Sequence, residues 1–198
     1  MTDQATLHAT RQFFGPRASG WEQRFPDDRP QYAHAITELK LTPGLMVLDL
    51  GCGRGRALVP LRAAVGSTGR VVGLDVTPEL LAEAQQLGRR VLAALVYGDV
   101  LRLPFVTTCA DAVFAGGLLP YLAEPLAVLH EIARVTRPGG KLAIFHLIGR
   151  GVFAACYGGA PSDNEMIRLP RSGSPYFVQP TVGIWSGSMM LIPIRVLA

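Results

Sequence analysis

Residues 47–55, with the sequence VLDLGCGRG, constrain the fold more than any other part of this chain. A short apolar stretch runs into an acid and then into three glycines at alternate positions, and a helical pattern follows. Glycine allows a sharp turn and a close approach of the backbone to a ligand. The first residues of a helix offer unpaired N–H groups. The stretch therefore predicts a strand, a tight turn and a helix that together form a site for a polar ligand.

The same alternation of strand and helix patterns continues along the chain. The predicted strands cover residues 45–50, 70–76, 90–97, 110–115 and 141–148, and the predicted helices cover 31–41, 56–65, 78–87 and 124–136. Strands that alternate with helices are typical of βαβ units, whose right-handed crossovers place helices on both faces of a parallel sheet. The predicted fold class is therefore α/β: a doubly wound, mostly parallel sheet in three αβα layers.

Polar residues and glycines fall at the ends of several predicted strands. Asp49 ends the first apolar run, Asp75 ends the second strand, Asp99 follows the third, and a glycine pair at 116–117 follows the fourth. In open parallel sheets, ligands bind outside the carboxyl ends of the strands, where the strand order reverses. We therefore expect these residues to surround one ligand.

Composition and charge exclude several classes of protein. The 198 residues are 49% hydrophobic and 17% charged, which suits one globular domain with a core. No apolar run approaches the ~20 residues of a membrane span, and the polar N-terminal region lacks the pattern of a signal peptide. The net charge of +4 comes from scattered basic residues, so we expect no nucleic-acid surface.

The three cysteines, Cys52, Cys109 and Cys156, are far apart and lack metal-ligand spacing. An odd number of isolated cysteines is typical of free thiols in a reducing compartment. We therefore expect a cytoplasmic protein without a metal site.

The spacing of the glycines distinguishes between kinds of ligand. The dinucleotide-binding fingerprint is G-x-G-x-x-G, and Arg56 occupies the position of its third glycine. A carboxylate at Asp49 would repel a pyrophosphate and suits a ligand with a cationic amino group. The Gly-Lys-Ser/Thr sequence of a phosphate loop does not occur. A nicotinamide-dependent oxidoreductase is therefore disfavoured.

Four segments, in their order and spacing, resemble the class I S-adenosylmethionine-dependent methyltransferases, and in particular the type 11-like domain. They are residues 47–55 (VLDLGCGRG), 72–75 (VGLD), 98–105 (GDVLRLPF) and 137–142 (RPGGKL). The resemblance covers about residues 30–150. It implies a Rossmann-like fold, S-adenosyl-L-methionine as the cofactor and S-adenosyl-L-homocysteine as its product.

The resemblance also implies a set of cofactor-binding residues. Asp49 and the glycine turn would hold the methionine part, Asp75 the ribose hydroxyls and Asp99 the adenine amino group. The full set is Asp49, Gly51, Cys52, Gly53, Gly55, Asp75, Val76, Gly98, Asp99, Val100, Ala115, Gly116 and Leu118.

The acceptor side is less well defined. An Asn/Asp-Pro-Pro-Tyr/Phe sequence marks many methylases of amino groups on bases and glutamine. It does not follow the fourth strand here, so we expect a small-molecule acceptor. His146 and Tyr121 are the candidates for a catalytic role. Both residues also have a structural interpretation: His146 as a half-buried histidine at a strand end, and Tyr121 as a side chain packed under the next helix. The alternative function is a cofactor-binding protein without turnover.

We expect three segments within one domain: an N-terminal helical or cap segment at 1–41, the cofactor-binding core at 42–150 and an atypical C-terminal segment at 151–198. Aromatic residues of the first segment are expected to pack over the core or a ligand. Relatives usually end with antiparallel strands, for which residues 158–198 show no pattern, and Pro193 argues against a central strand. A loop-rich lid, a partner-binding segment and a slip of the reading frame stay open for this segment. An exposed sheet edge would favour a homodimer.

Overall fold

The structure is a computed structural model that describes residues 4–20, 28–145 and 189–193. Its strands are β1 (Met46–Leu50), β2 (Arg70–Asp75), β3 (Ala94–Tyr97), β4 (Ala110–Gly116), β5 (Thr136–Phe145) and β6 (Met189–Pro193). Its α-helices are α1 (Gln4–Phe14), α2 (Arg29–Glu38), α3 (Leu58–Val65), α4 (Pro78–Gln86) and α5 (Pro125–Val135). Short 3-10 helices lie at Gly15–Arg17, Arg89–Val91 and Leu119–Tyr121.

The six strands form one sheet in the order β3-β2-β1-β4-β5-β6. Strands β1 to β5 run parallel, and β6 runs antiparallel to β5. Because β1 lies between β2 and β4, Leu48 pairs with Val72 on one side and with Val113 on the other. The strand order reverses at this point, which is where open α/β sheets bind ligands. The structure confirms the doubly wound α/β fold.

Two hydrophobic clusters lie on opposite faces of this sheet, because successive side chains of a strand point to opposite sides. Leu48 and Leu50 of β1 pack in one cluster together with side chains of α5. Val47 packs in the other cluster together with side chains of α2 and α3. Helix α5 therefore covers one face and α2 and α3 cover the other, and the buried strand β1 is held at the centre of three layers.

Two elements differ from their predicted form. The apolar run 90–97 becomes a strand only from Ala94, because a 3-10 helix occupies Arg89–Val91. The turn at 137–140 lies inside β5 as a bulge. Since Ala110 pairs with Thr136 and Ala112 pairs with Lys141, residues 137–140 stand opposite Asp111 alone. Pairing with β4 on both sides of the bulge makes β5 continuous.

The final apolar run of the sequence contributes β6. Phe145 pairs with Met189 and Lys141 pairs with Pro193, so the strand lies along β5 at the edge of the described sheet. Pro193 ends the strand, which is a position that tolerates its missing N–H. An antiparallel strand thus extends the sheet on this side, although no pattern in the sequence predicts one there.

The part of the chain that the structure describes bears on three further expectations. None of its helices combines the length and the apolarity needed to cross a membrane. Cys52 and Cys109 are free thiols, and Cys156 lies outside the described residues. Within the same ranges, no group of three or more side chains is suited to a metal ion. The division of the chain at 41 and 150 stays a prediction.

Candidate cofactor site

The glycine turn after β1 is hydrogen-bonded to the end of β2. The amides of Gly51 and Cys52 both donate to the Leu74 carbonyl, at 2.8 and 3.0 Å. Gly51 and Gly53 have φ values of +68° and +51°, a region that residues with a side chain rarely adopt. A methyl group on Gly51 would also lie 3.0 Å from Cδ1 of Leu118. The turn thus brings β1, β2 and the loop after β4 together.

Asp75, the last residue of β2, accepts two backbone hydrogen bonds. Its Oδ2 accepts from the Gly53 amide and its Oδ1 accepts from the Thr77 amide, each at 2.8 Å. Burial raises the pKa of this carboxyl, and the hydrogen bonds from Thr77 and Gly53 oppose the rise. These amides hold the carboxylate in place at the cavity, which Asp75 lines.

Asp49, in β1, is more deeply buried and less well satisfied than Asp75. Only 2% of its surface is exposed, and its Oδ2 has no hydrogen-bond partner among the described residues. Burial raises the pKa of Asp49 to about 8, and the charge of Asp75 adds to the rise. A buried carboxylate without a partner is costly and favours either a proton or a cationic ligand.

Side chains of α5 hold the loop after β3. Arg134 donates from Nη2 to the Leu103 carbonyl at 3.0 Å and from Nη1 to the Phe105 carbonyl at 2.8 Å. Glu131 accepts from the Leu103 amide at 2.9 Å and also pairs with Arg134. These contacts fix the segment that begins at Asp99 against the core.

Helix α1 covers the site beyond the ends of β2 and β3. Arg11 donates from Nε to the Val76 carbonyl at 3.0 Å and from Nη2 to the Tyr97 hydroxyl. Its guanidinium also lies 5.2 Å from the centre of the Tyr97 ring. Phe14, the last residue of α1, meets Tyr121 edge to face with 4.9 Å between ring centroids. The last turn of α1 therefore contacts both the residue after β2 and the loop after β4.

A cavity of about 460 Å³ lies under α1 at the carboxyl ends of the strands. It brings together most of the predicted cofactor-binding residues: Asp49, Gly51, Cys52, Gly53, Asp75, Val76, Asp99, Val100, Gly116 and Leu118. Tyr121 also lines the cavity, and 46% of its surface is exposed.

The remaining predicted residues do not line the cavity. The Gly55 amide closes the glycine turn through a hydrogen bond of 2.8 Å, and the Gly98 amide donates to the last carbonyl of β2 at 3.0 Å. Ala115 is fully buried in β4. Their assignment as cofactor-binding residues stays a prediction. His146 lies outside the described residues.

Comparison with known protein families indicates what kind of protein has this arrangement of strands and cavity residues. The profile of the family described as "Methyltransferase domain" matches residues 48–144, from β1 to the end of β5. Residues 48–144 of the chain resemble the methyltransferase-domain family. A SAM-dependent methyltransferase from Aquifex aeolicus aligns over the whole of both chains with a TM-score of 0.61 and 19% identity. At that identity the likeness concerns the fold.

Two curated relatives match the same methyltransferase region. A 2-phytyl-1,4-naphtoquinone methyltransferase from Synechococcus elongatus is 38% identical over 109 residues, which are 53% of this chain and 47% of that protein. A demethylmenaquinone methyltransferase from Shouchella clausii is 33% identical over 110 residues, which are 54% of this chain and 47% of that protein. The chain spans about half the length of these relatives.

Several residues that line the cavity were not among the predicted cofactor-binding residues. They are Leu7, Thr10, Phe13 and Phe14 of α1, Asp28 and Tyr32 near the start of α2, and Arg54 and Arg56 in and after the glycine turn. The aromatic composition of the N-terminal segment indicates packing over the core or a ligand without choosing between them. From the sequence, Arg56 is noted only because it stands where a dinucleotide-binding site has its third glycine, and no role in binding is predicted for it. Its partner, Asp28, is distant in sequence and no local pattern connects the two.

Proposed function

We propose that this domain binds S-adenosyl-L-methionine and transfers its methyl group to a small apolar acceptor. The observation that carries the proposal is the Asp49 carboxylate, whose Oδ2 is buried at the cavity without a hydrogen-bond partner among the described residues. The cofactor carries an ammonium group in its methionine part, which is the partner that such an oxygen lacks. When bound, the cofactor supplies a methyl group on a positively charged sulfur.

Two further carboxylates support the same cofactor. Asp75 is oriented by the Gly53 and Thr77 amides and lines the cavity, so it is placed to accept hydrogen bonds from the ribose hydroxyls. Asp99 lines the cavity beyond the end of β3, where it accepts a hydrogen bond from the adenine amino group. The three acids thus bind three separate parts of one ligand.

The acceptor side of the cavity is aromatic. Ring centroids lie 5.0 Å apart between Phe13 and Phe14 and 4.9 Å apart between Phe14 and Tyr121. Leu118 also lines the cavity. Such a wall favours an acceptor with a planar, uncharged ring system. Both relatives named above are quinone methyltransferases, which supports the same class of acceptor.

Methyl transfer from a sulfonium needs an aligned acceptor and a site without water, because the leaving group is already activated. Helix α1 and the loop that carries Tyr121 provide these conditions by closing the cavity. We assign Tyr121 a packing role through its ring. Tyr121→Phe is expected to retain turnover, and Tyr121→Ala is expected to raise KM for the acceptor. A loss of kcat in Tyr121→Phe would instead assign its hydroxyl a part in the transfer step.

Calorimetric titration tests the cofactor assignment. S-adenosylmethionine and S-adenosylhomocysteine are expected to bind, and NAD is not. Asp49→Asn should weaken S-adenosylhomocysteine binding by about tenfold or more. Glu38→Gln, which removes an acid at the end of α2, serves as the control and should leave binding unchanged. Binding of NAD alone would overturn the proposal.

A panel of hydroquinones and phenols tests the transfer step. Methylation of at least one member, detected by mass, is expected. Cofactor binding without methylation of any member would support the alternative function, a cofactor-binding protein without turnover.

A further inference from the structure

A buried ion pair joins the N-terminal segment to the glycine turn. Nη1 of Arg56, the residue after the turn, donates to Oδ2 of Asp28, which precedes α2. The two side chains are only 13% and 7% exposed, and both residues line the cavity. A buried charged pair of this kind is costly to form and is therefore weak evidence for a purely stabilising role.

The guanidinium of Arg56 has more donors than this pair uses. Arginine presents five N–H donors in a planar fork. Among the residues that the structure describes, Asp28 is the hydrogen-bond partner recorded for Arg56. The remaining edge of the fork is therefore available to an anion in the cavity, and a carboxylate matches its geometry.

Tyr32 lines the same cavity as Asp49 and Arg56. Burial raises the pKa of the Tyr32 hydroxyl, the charges of Asp28 and Asp49 raise it further, and the charge of Arg56 lowers it. One phenol thus interacts with both acids and with the arginine. Arg54, the other cation at the cavity, faces Glu83 of α4 at 3.3 Å.

At one cavity, an acid whose Oδ2 has no partner among the described residues and an arginine with an open edge complement the two charges of an α-amino acid. We propose that Arg56, held in place by Asp28, binds the carboxylate of the cofactor's methionine part while Asp49 binds its ammonium. This inference rests on the proposed function and assigns a role to a residue that the glycine spacing marks only as a departure from a dinucleotide site.

Two ligands that differ only at the amino-acid end test this assignment by calorimetry. S-adenosylhomocysteine carries the ammonium and the carboxylate, whereas 5′-methylthioadenosine carries neither. Arg56→Gln is expected to weaken S-adenosylhomocysteine by about 10- to 100-fold and to leave 5′-methylthioadenosine within about twofold. Arg70→Gln removes the same charge at the exposed start of β2 and should change neither affinity.

The ratio of the two affinities makes the result independent of partial unfolding, because both ligands need the same folded site. An equal loss for both ligands in Arg56→Gln, or no loss for either, would overturn the role of Arg56 and leave the proposed function standing. Failure of the unsubstituted protein to bind either ligand would overturn the proposed function, and the role of Arg56 would fall with it.

Discussion

The backbone amide of Gly53 donates a hydrogen bond to Oδ2 of Asp75, with 2.8 Å between the two atoms. The second oxygen of the same carboxylate accepts from the Thr77 amide, so one side chain connects the glycine turn to the start of α4. The carboxylate is therefore oriented before any ligand arrives. Preorganisation of this kind reduces the entropic cost of binding.

Asp75→Ala is expected to weaken cofactor binding by about 1–3 kcal/mol, because the ribose hydroxyls lose their acceptors. Since both S-adenosylhomocysteine and 5′-methylthioadenosine contain the ribose, their affinities should fall by the same factor in calorimetry. This pattern differs from that expected of Arg56→Gln, which affects one ligand only. Unchanged affinity for both ligands would remove Asp75 from the site.

The raised pKa of Asp49, about 8, predicts how stability depends on pH. Between the ordinary aspartate value of 3.8 and about 8, the folded protein holds a proton that the unfolded chain has released. Folded protein binds more protons in this window, so the free energy of unfolding falls as pH rises, by up to about 1.4 kcal/mol per unit. Above about pH 8 the loss from this group is complete.

Urea unfolding of the unsubstituted protein and of Asp49→Asn between pH 5 and 8 measures this effect. The difference between the two proteins isolates Asp49, since other titrating groups are common to both. The unsubstituted protein should lose stability relative to Asp49→Asn as pH rises. Parallel pH profiles would show that Asp49 is not protonated in the folded state.

Gly51→Ala and Gly88→Ala separate backbone strain from close contact. Both glycines have positive φ values, +68° and +73°, so each alanine should cost about 1–2 kcal/mol of stability. A methyl group at Gly88 meets nothing within 4 Å, whereas one at Gly51 lies 3.0 Å from Leu118 at the cavity. Only Gly51→Ala is therefore expected to weaken S-adenosylhomocysteine binding. Equal affinities in the two variants would contradict this account.

Arg134→Lys and Arg62→Lys form a second matched pair, because each arginine binds backbone carbonyls. Arg134 holds Leu103 and Phe105 in the loop after β3, whereas Arg62 holds carbonyls that include Leu92, at 2.7 Å. Both substitutions should lower the free energy of unfolding by about 1–3 kcal/mol. Arg134→Lys alone should also weaken cofactor binding and speed amide hydrogen exchange in residues 98–105. Loss of affinity in Arg62→Lys would show that the effect is one of general stability.

The sequence predicts those parts of the site that depend on neighbours along the chain. The apolar run of β1 and the glycines at 51 and 53 specify a buried strand and a left-handed turn locally. Asp75 and Asp99 follow other strands of the same parallel sheet, so their convergence is a consequence of topology. The structure places all of these residues around one cavity.

Features that depend on contacts between residues far apart in the sequence could not be predicted from local patterns. Strand β6 forms through pairing with β5, and its terminal Pro193 obscures the pattern. The meeting of Phe14 with Tyr121 and that of Asp28 with Arg56 join segments that no local period connects. The residues at 137–140 are typical of a turn that precedes a strand. Because the residues before and after them both pair with β4, they lie inside β5.

Oδ2 of Asp49 has no hydrogen-bond partner among the described residues. The free energy of unfolding should therefore be lower without a ligand than with one. A ligand that binds only the folded state stabilises it in proportion to the logarithm of its concentration, and a cationic ligand at Asp49 also offsets the cost of the buried acid. Cells remove chains that unfold, so differences of one or two kcal/mol change abundance several-fold. When the protein is expressed in a host cell at constant synthesis, its lifetime should therefore follow the supply of its ligand, with faster degradation when the ligand is scarce.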